Sequence, residues 1–163
     1  MPTVTVQTTI NAPRSLVFDL ARDVDVHVIT TSWTGEKIVA GVSSGKLMRN
    51  DLVTFEARHL GFRQQLTARI SEMEYPSWFE DVLVKGAFSY LKHTHRFSEI
   101  SQVQTAMIDI LEFTSPLGIL GQIADVLFLK AYMHNFLIRK NSNLKSLAER
   151  SADVAKGQIH DEF

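Results

Sequence analysis

The sequence predicts an α+β fold in which a curved antiparallel sheet wraps around one long C-terminal helix, with two short helices after the first strand. Three observations lead there. Segments alternating between polar and apolar residues follow one another at short spacing from Thr3 to Phe113. An early interval, Pro13 to Val28, instead carries the pattern of two short helices. After Thr114-Ser115-Pro116-Leu117-Gly118, about thirty residues run on with helical periodicity. Successive strands joined by small turns make an antiparallel meander, not alternating parallel units.

Thr3 to Ile10 puts Val4, Val6 and Ile10 on one face and Thr3, Thr5, Gln7 and Thr9 on the other, the pattern of a half-buried strand. Asn11-Ala12-Pro13 breaks it, and Pro13 suits the entry to a short helix holding Val17, Phe18, Leu20 and Ala21. Asp23 or Asp25 caps a second short helix through His27 and Val28. Gly35, Gly41 and Gly45 divide Thr34 to Met48 into short strands and turns. Leu52 to Leu60 and Phe62 to Glu74 form a hairpin about Gly61, with Val53, Phe55, Ala57 and His59 sharing one face of the first arm. Trp78 to Lys85, Ala87 to Glu99 and Val103 to Phe113 supply three more strands.

From Ile119 onward, Leu120, Ile123, Ala124, Leu127, Ala131, Leu144 and Leu147 recur at helical spacing. Thirty residues at about 1.5 Å each span roughly 45 Å, the width of a small domain. Around Phe128, Met133, Phe136, Leu137 and Ile138 the apolar arc widens. That fits a buried helix middle, a pocket wall or a dimer contact. Residues 1–150 make one domain, and 151–163 read as a polar tail that frays.

Composition bounds the function. The chain has 163 residues, 45% hydrophobic and 21% charged, with a formal net charge of -1. No global field attracts nucleic acid or anionic lipid. The absence of cysteine excludes disulfides, thiolate metal ligands and a cysteine nucleophile, and fits a cytoplasmic location. The alternating start, Met1 to Val6, does not read as a signal peptide. The greasiest run, Leu117 to Ile138, carries Gln122, Asp125, Lys130, His134 and Asn135, too polar for stable membrane insertion.

Few residues offer chemistry. His93 and His95 lie two apart on a strand and share a face with Leu91 and Phe97. They read as hydrogen-bonded core or outer-face histidines, as a polar patch in a cavity, or as two ligands of a metal. The last needs a third ligand from His59, Glu56 or Asp109. Asp109 shares a face with Met107 and Leu111, while Ile108 and Ile110 face the other way. It is either a buried carboxyl needing a partner or a solvated one on the convex side. Arg58, Arg63 and Arg69 with Glu56 and Glu72 suggest cross-strand charge pairs on a solvated sheet. Gly118-x-x-Gly121 lacks the following Lys-Ser or Lys-Thr of a phosphate loop and reads as a tight turn. No GxSxG or HExxH motif occurs.

The order of elements is that of a helix-grip protein, and several segments strengthen the likeness. Ile10-x-Ala12-Pro13-x-x-x-Val17-Phe18-x-Leu20 resembles the opening of the polyketide cyclase/dehydrase and lipid-transport group, the SRPBCC superfamily, which includes START domains and the major birch pollen allergen. Phe88-x-x-x-x-His93-x-His95-x-Phe97, Thr105-x-Met107-x-Asp109 and Pro116-Leu117-Gly118-x-x-Gly121-x-x-Ala124-Asp125 resemble its small bacterial members. The resemblance covers roughly residues 3 to 149. It implies a hydrophobic cavity between sheet and helix, but no catalytic set transfers residue by residue.

The expected function is therefore binding or carriage of a hydrophobic small molecule, lipid, polyketide-like or quinone-like. Candidate contacts are His93, His95, Asp109, Phe97, Met107, Phe55, His59, Phe128 and His27, the last beside the cavity entrance. A cyclase or dehydratase using His93 or His95 with Asp109 is the alternative, and a protein-interaction module the third reading. No cofactor, metal ion or nucleic acid is expected. A homodimer through a sheet edge or the helix has no specific residue to support it.

Overall fold

The computed structural model describes residues 1–116 and 128–160. Strand β1 (Thr3–Ile10) leads into helices α1 (Arg14–Ala21) and α2 (Val24–Thr30) and a 3-10 turn at Ser32–Thr34. Strands β2 (Lys37–Gly41), β3 (Leu52–His59), β4 (Phe62–Glu74), β5 (Trp78–Lys85), β6 (Tyr90–Ser101) and β7 (Gln104–Thr114) follow, and helix α3 (Lys130–His160) closes the chain. The sheet has seven strands in the order β1-β7-β6-β5-β4-β3-β2, each pair antiparallel. One strand, β2, forms where the glycines suggested several. The Gly118 and Gly121 turn and the helical positions Leu120, Ile123, Ala124 and Leu127 lie outside the described residues.

Local chemistry sets the element ends. Pro13 precedes α1 with extended backbone. Asp23 caps α2, its carboxylate accepting from the Asp25 and Val26 amides at 2.9 and 3.2 Å. Gly41 has a φ of 82°, and a side chain there would strike the Leu52 carbonyl of β3. Register shifts interrupt the β4–β5 pair at Thr67/Ala68 and Ile70/Glu72, irregularities of the kind that bend and twist a strand.

Helix α3 continues past Ser151 to His160. Leu144, Ala148 and Ala152 recur every fourth residue and are all buried, so the apolar stripe holds the polar segment in the helix. Polar ties add to it. Asn143 donates to the Thr30 carbonyl at 3.0 Å, Lys145 to the Thr9 carbonyl at 2.7 Å, and the Asn11 amide to Glu149 at 2.8 Å.

The core consists of two apolar clusters. One joins Ile10, Phe18, Val53, Ile70, Phe79, Phe97, Met107 and Leu144 beneath α1 and the C-terminal half of α3. The other joins Val4, Val6, Leu91, Leu111, Phe113 and Leu137. Between them the inward positions are polar on four elements. Asp81 lies between Phe79 and Leu83, His93 and His95 between Leu91 and Phe97, and Asp109 between Met107 and Leu111. On α3, Lys140 and Asn141 lie between Leu137 and Leu144. A polar belt thus crosses the interior.

On the outer face Arg63 pairs with Glu56 at 3.6 Å, but Glu72 takes Arg49, not Arg69, at 2.9 Å. Arg58 and Arg63 stand directly opposite each other in the β3–β4 register, so Arg58 gains no cross-strand acid there. Among the described residues no helix is long and apolar enough to cross a membrane.

Candidate functional site

Beside the belt lies a cavity of about 340 Å³. Its apolar walls are Ala57 and Leu66 on the sheet, Leu91 and Leu111 beyond them, and Met133 and Phe136 on α3. The exposed lining residues Leu60 and Ala87 mark its rim among the described residues. His27, Phe55, Asp81, His93 and Lys140 also line a smaller space of about 70 Å³, so they partition the two chambers.

The belt centres on Asp109, which is 1% exposed. Its Oδ1 lies 2.6 Å from His95 Nδ1 and 3.0 Å from His93 Nε2, and its Oδ2 accepts from Asn141 Nδ2 at 2.6 Å. An ionised carboxylate only accepts, so both imidazoles donate to it. His95 Nε2 lies 3.2 Å from Asp81 Oδ1 and donates there as well, which makes His95 an imidazolium between two carboxylates. Burial by itself would raise the Asp109 carboxyl, but the charge of His95 and the bonds from His93 and His95 hold it well below the usual range. Burial by itself would lower His95, and Asp109 and Asp81 together push it up. His93 is pushed down by burial and by the neighbouring His95 charge, so it stays neutral.

A second pair faces this one. His27 Nε2 lies 3.3 Å from Glu36 Oε1, and its ring stacks on Phe55 with centroids 4.3 Å apart. Burial works against the Glu36 charge, yet His27 foremost brings its pKa to about 2. His27 is lowered by burial and by Lys140. The Lys140 ammonium, on a side chain largely buried in α3, makes no hydrogen bond to any described residue. At the rim His59 Nδ1 bonds Tyr132 Oη at 2.8 Å.

Of the sequence candidates, His27, Phe55, His59 and His93 line the larger cavity and His95 the smaller one, with Asp109 behind the histidines. Asp109 is not the solvated convex residue of one sequence reading, because the Met107 face of β7 is the inner one. Phe97 and Met107 line neither chamber. They pack beneath α1, where Phe18 meets the Phe97 ring at 5.2 Å. Phe128 is 55% exposed and outside the lining, because Leu129 just before α3, and Tyr132, Met133 and Phe136 within it, take the inward positions instead.

Asp81, Glu36, Tyr132, Lys140 and Asn141 escaped sequence reasoning. A signal existed for three of them. Asp81 alternates with Phe79 and Leu83, and Lys140 and Asn141 occupy positions where the helical repeat calls for apolar residues.

The architecture matches solved structures over about nine-tenths of the chain. A Thermus thermophilus protein, TTHA0849, aligns at a TM-score of 0.76 and 16% identity, over 93% of this chain and 99% of that one. The fold is helix-grip. The Zhui aromatase/cyclase from Streptomyces matches this helix-grip chain at a TM-score of 0.73 and 15% identity, over 91% of this chain and 94% of that one. A START superfamily protein from Mycobacterium smegmatis aligns at 0.70 and 12% identity, over 91% and 97%. At such identities the likeness fixes the helix-grip fold, the fold of the START and SRPBCC group, and leaves the chemistry to the site itself. No protein-family model and no curated protein matches the chain.

Proposed function

We propose that the chain binds an apolar small molecule with an oxygen-bearing end, of lipid, polyketide-like or quinone-like kind, in the cavity between sheet and α3. One observation carries the reading. The cavity has apolar walls and, at its belt side, the ammonium of Lys140, a largely buried side chain that lines the cavity and makes no hydrogen bond to any described residue. Glu36 and Asp81 act on that charge from a distance, and a carbonyl, carboxylate or phenolate oxygen of a ligand would give it a direct hydrogen bond. The apolar body of the ligand would cover the Leu66, Leu91 and Leu111 walls. Native mass spectrometry of the purified chain, followed by mass analysis of what denaturation releases, tests it. An apolar, oxygen-bearing molecule is expected. Ala57→Trp, which fills the cavity, should abolish its retention, and Lys140→Met should weaken it at least tenfold. Retention unchanged in both variants would refute the reading.

The Asp109–His93 contact favours a second reading. A neutral His93 that donates to Asp109 keeps its other nitrogen as a proton acceptor beside the cavity. This is the arrangement of a general base, as a cyclase or dehydratase would need. Deuterium exchange at the activated carbon of a β-diketone probe should be accelerated by the chain and lost in His93→Gln. No acceleration would leave binding as the function.

A further inference from the structure

We propose that Asp81, His93 and His95 form a binding site for a divalent transition-metal ion, supported by Asp109 and Asn141 and open towards the cavity. The ligand atoms these three residues offer all lie within 4.8 Å of one another. The sheet places them there. Asp81 on β5 pairs in register with His93 on β6, and His95 follows two residues later on the same face. Two imidazoles and one carboxylate are a donor set suited to zinc or to ferrous iron.

The distances favour it. Ligand bonds of about 2.0–2.1 Å in a tetrahedral site hold neighbouring donor atoms about 3.3 Å apart. His95 Nε2 and Asp81 Oδ1 already stand at 3.2 Å. The third ligand atom, from His93, lies within 4.8 Å of both. Metal-bound histidines commonly give their other N–H to a carboxylate, which fixes the ring. Here both rings give theirs to one oxygen of Asp109, and Asn141 holds the other oxygen.

Charge fits as well. A divalent cation would displace the proton that His95 Nε2 directs at Asp81, releasing it to solvent, and would be balanced by the Asp81 and Asp109 carboxylates. Lys140, which shares the chamber walls with Asp81 and His93, opposes the cation by its own charge, and Glu36 on the same lining offsets Lys140. Three protein ligands leave at least one position for water or for the oxygen of a cavity ligand. The site does not depend on the apolar-ligand reading.

The test uses the full chain, freed of metal by a chelator and titrated with zinc by calorimetry and with cobalt(II) by visible absorption. One equivalent is expected, with a cobalt spectrum of low coordination number. Asp81→Asn and His93→Gln should each weaken binding at least tenfold, and His134→Ala, at an exposed histidine, should leave it unchanged. Lys140→Met should preserve or tighten metal binding while it weakens the apolar ligand, so the two readings fail separately. Should the belt variants not fold, long-range proton–nitrogen spectra of the unaltered chain decide, because zinc must shift the His93 and His95 nitrogens. Absence of saturable binding, binding that survives Asp81→Asn, or loss in His134→Ala would overturn the proposal.

Discussion

Glu36 shows what the buried pairs contribute one side chain at a time. Its pKa falls from 4.5 to about 2 on folding, which corresponds to on the order of 3 kcal/mol. The folded value is depressed, so this stability is complete above the unfolded pKa and disappears as pH falls through the folded one. Glu36→Gln should therefore be less stable than the wild type just above about pH 4.5, where His27 still carries the proton that holds Glu36 down, and the difference should shrink between about pH 4.5 and pH 2. Urea denaturation at several pH values checks it; a constant difference would mean that shape, not charge, is at stake. Asp109 behaves more severely. Asp109→Ala leaves Asn141, His93 and His95 buried without their acceptor and should cost about 3–5 kcal/mol. A loss under about 1 kcal/mol in thermal or chemical unfolding would contradict the hydrogen-bond assignment.

At the scale of elements, glycine positions separate two causes of strain. Gly41 and Gly61 both have positive φ, 82° and 84°. A side chain on Gly61 meets open space, whereas one on Gly41 meets the β3 backbone, which cannot swing aside. Gly61→Ala should cost about 1–2 kcal/mol from the left-handed conformation alone. Gly41→Ala should cost about 3 kcal/mol or more, because β2 must part from β3. Equal losses would show that the close approach is not a constraint. The strands were legible because a sheet with one buried face writes period two into the sequence. Their ends drifted: β6 was expected over Ala87 to Glu99 and runs Tyr90–Ser101. The site was half legible for the same reason. Period two puts His93 and His95 on one face, and Leu91 and Phe97 beside them point inward. Asp109 stayed ambiguous because both faces of β7 are apolar. Alternation with Phe79 and Leu83 turns Asp81 inward and the helical repeat does the same for Lys140, but that they meet His93 follows only from strand register and the rotation of α3, which are not written locally.

For the whole molecule, the cavity and the belt are opposite contributions. The cavity forgoes packing that a filled core would have, and a ligand restores it. At a hundredfold excess over Kd a ligand adds about 2.7 kcal/mol, a Tm rise of roughly 5–10 °C for a chain of this size. Thermal scans with the molecule released from the purified chain should show that rise, and Ala57→Trp should not respond. The belt also bears on how the chain finds one arrangement. Sliding a strand by one residue turns its apolar face outward and is prevented by that alone. Sliding by two residues keeps every inward side chain inward, and alternation is blind to it. In this molecule such a slip would part Asp109 from His95 across β7 and β6, or Asp81 from His93 across β6 and β5, and set polar belt residues against apolar neighbours. The same side chains that offer chemistry to a ligand thus act as a vernier mark, setting the strands against one another to the residue.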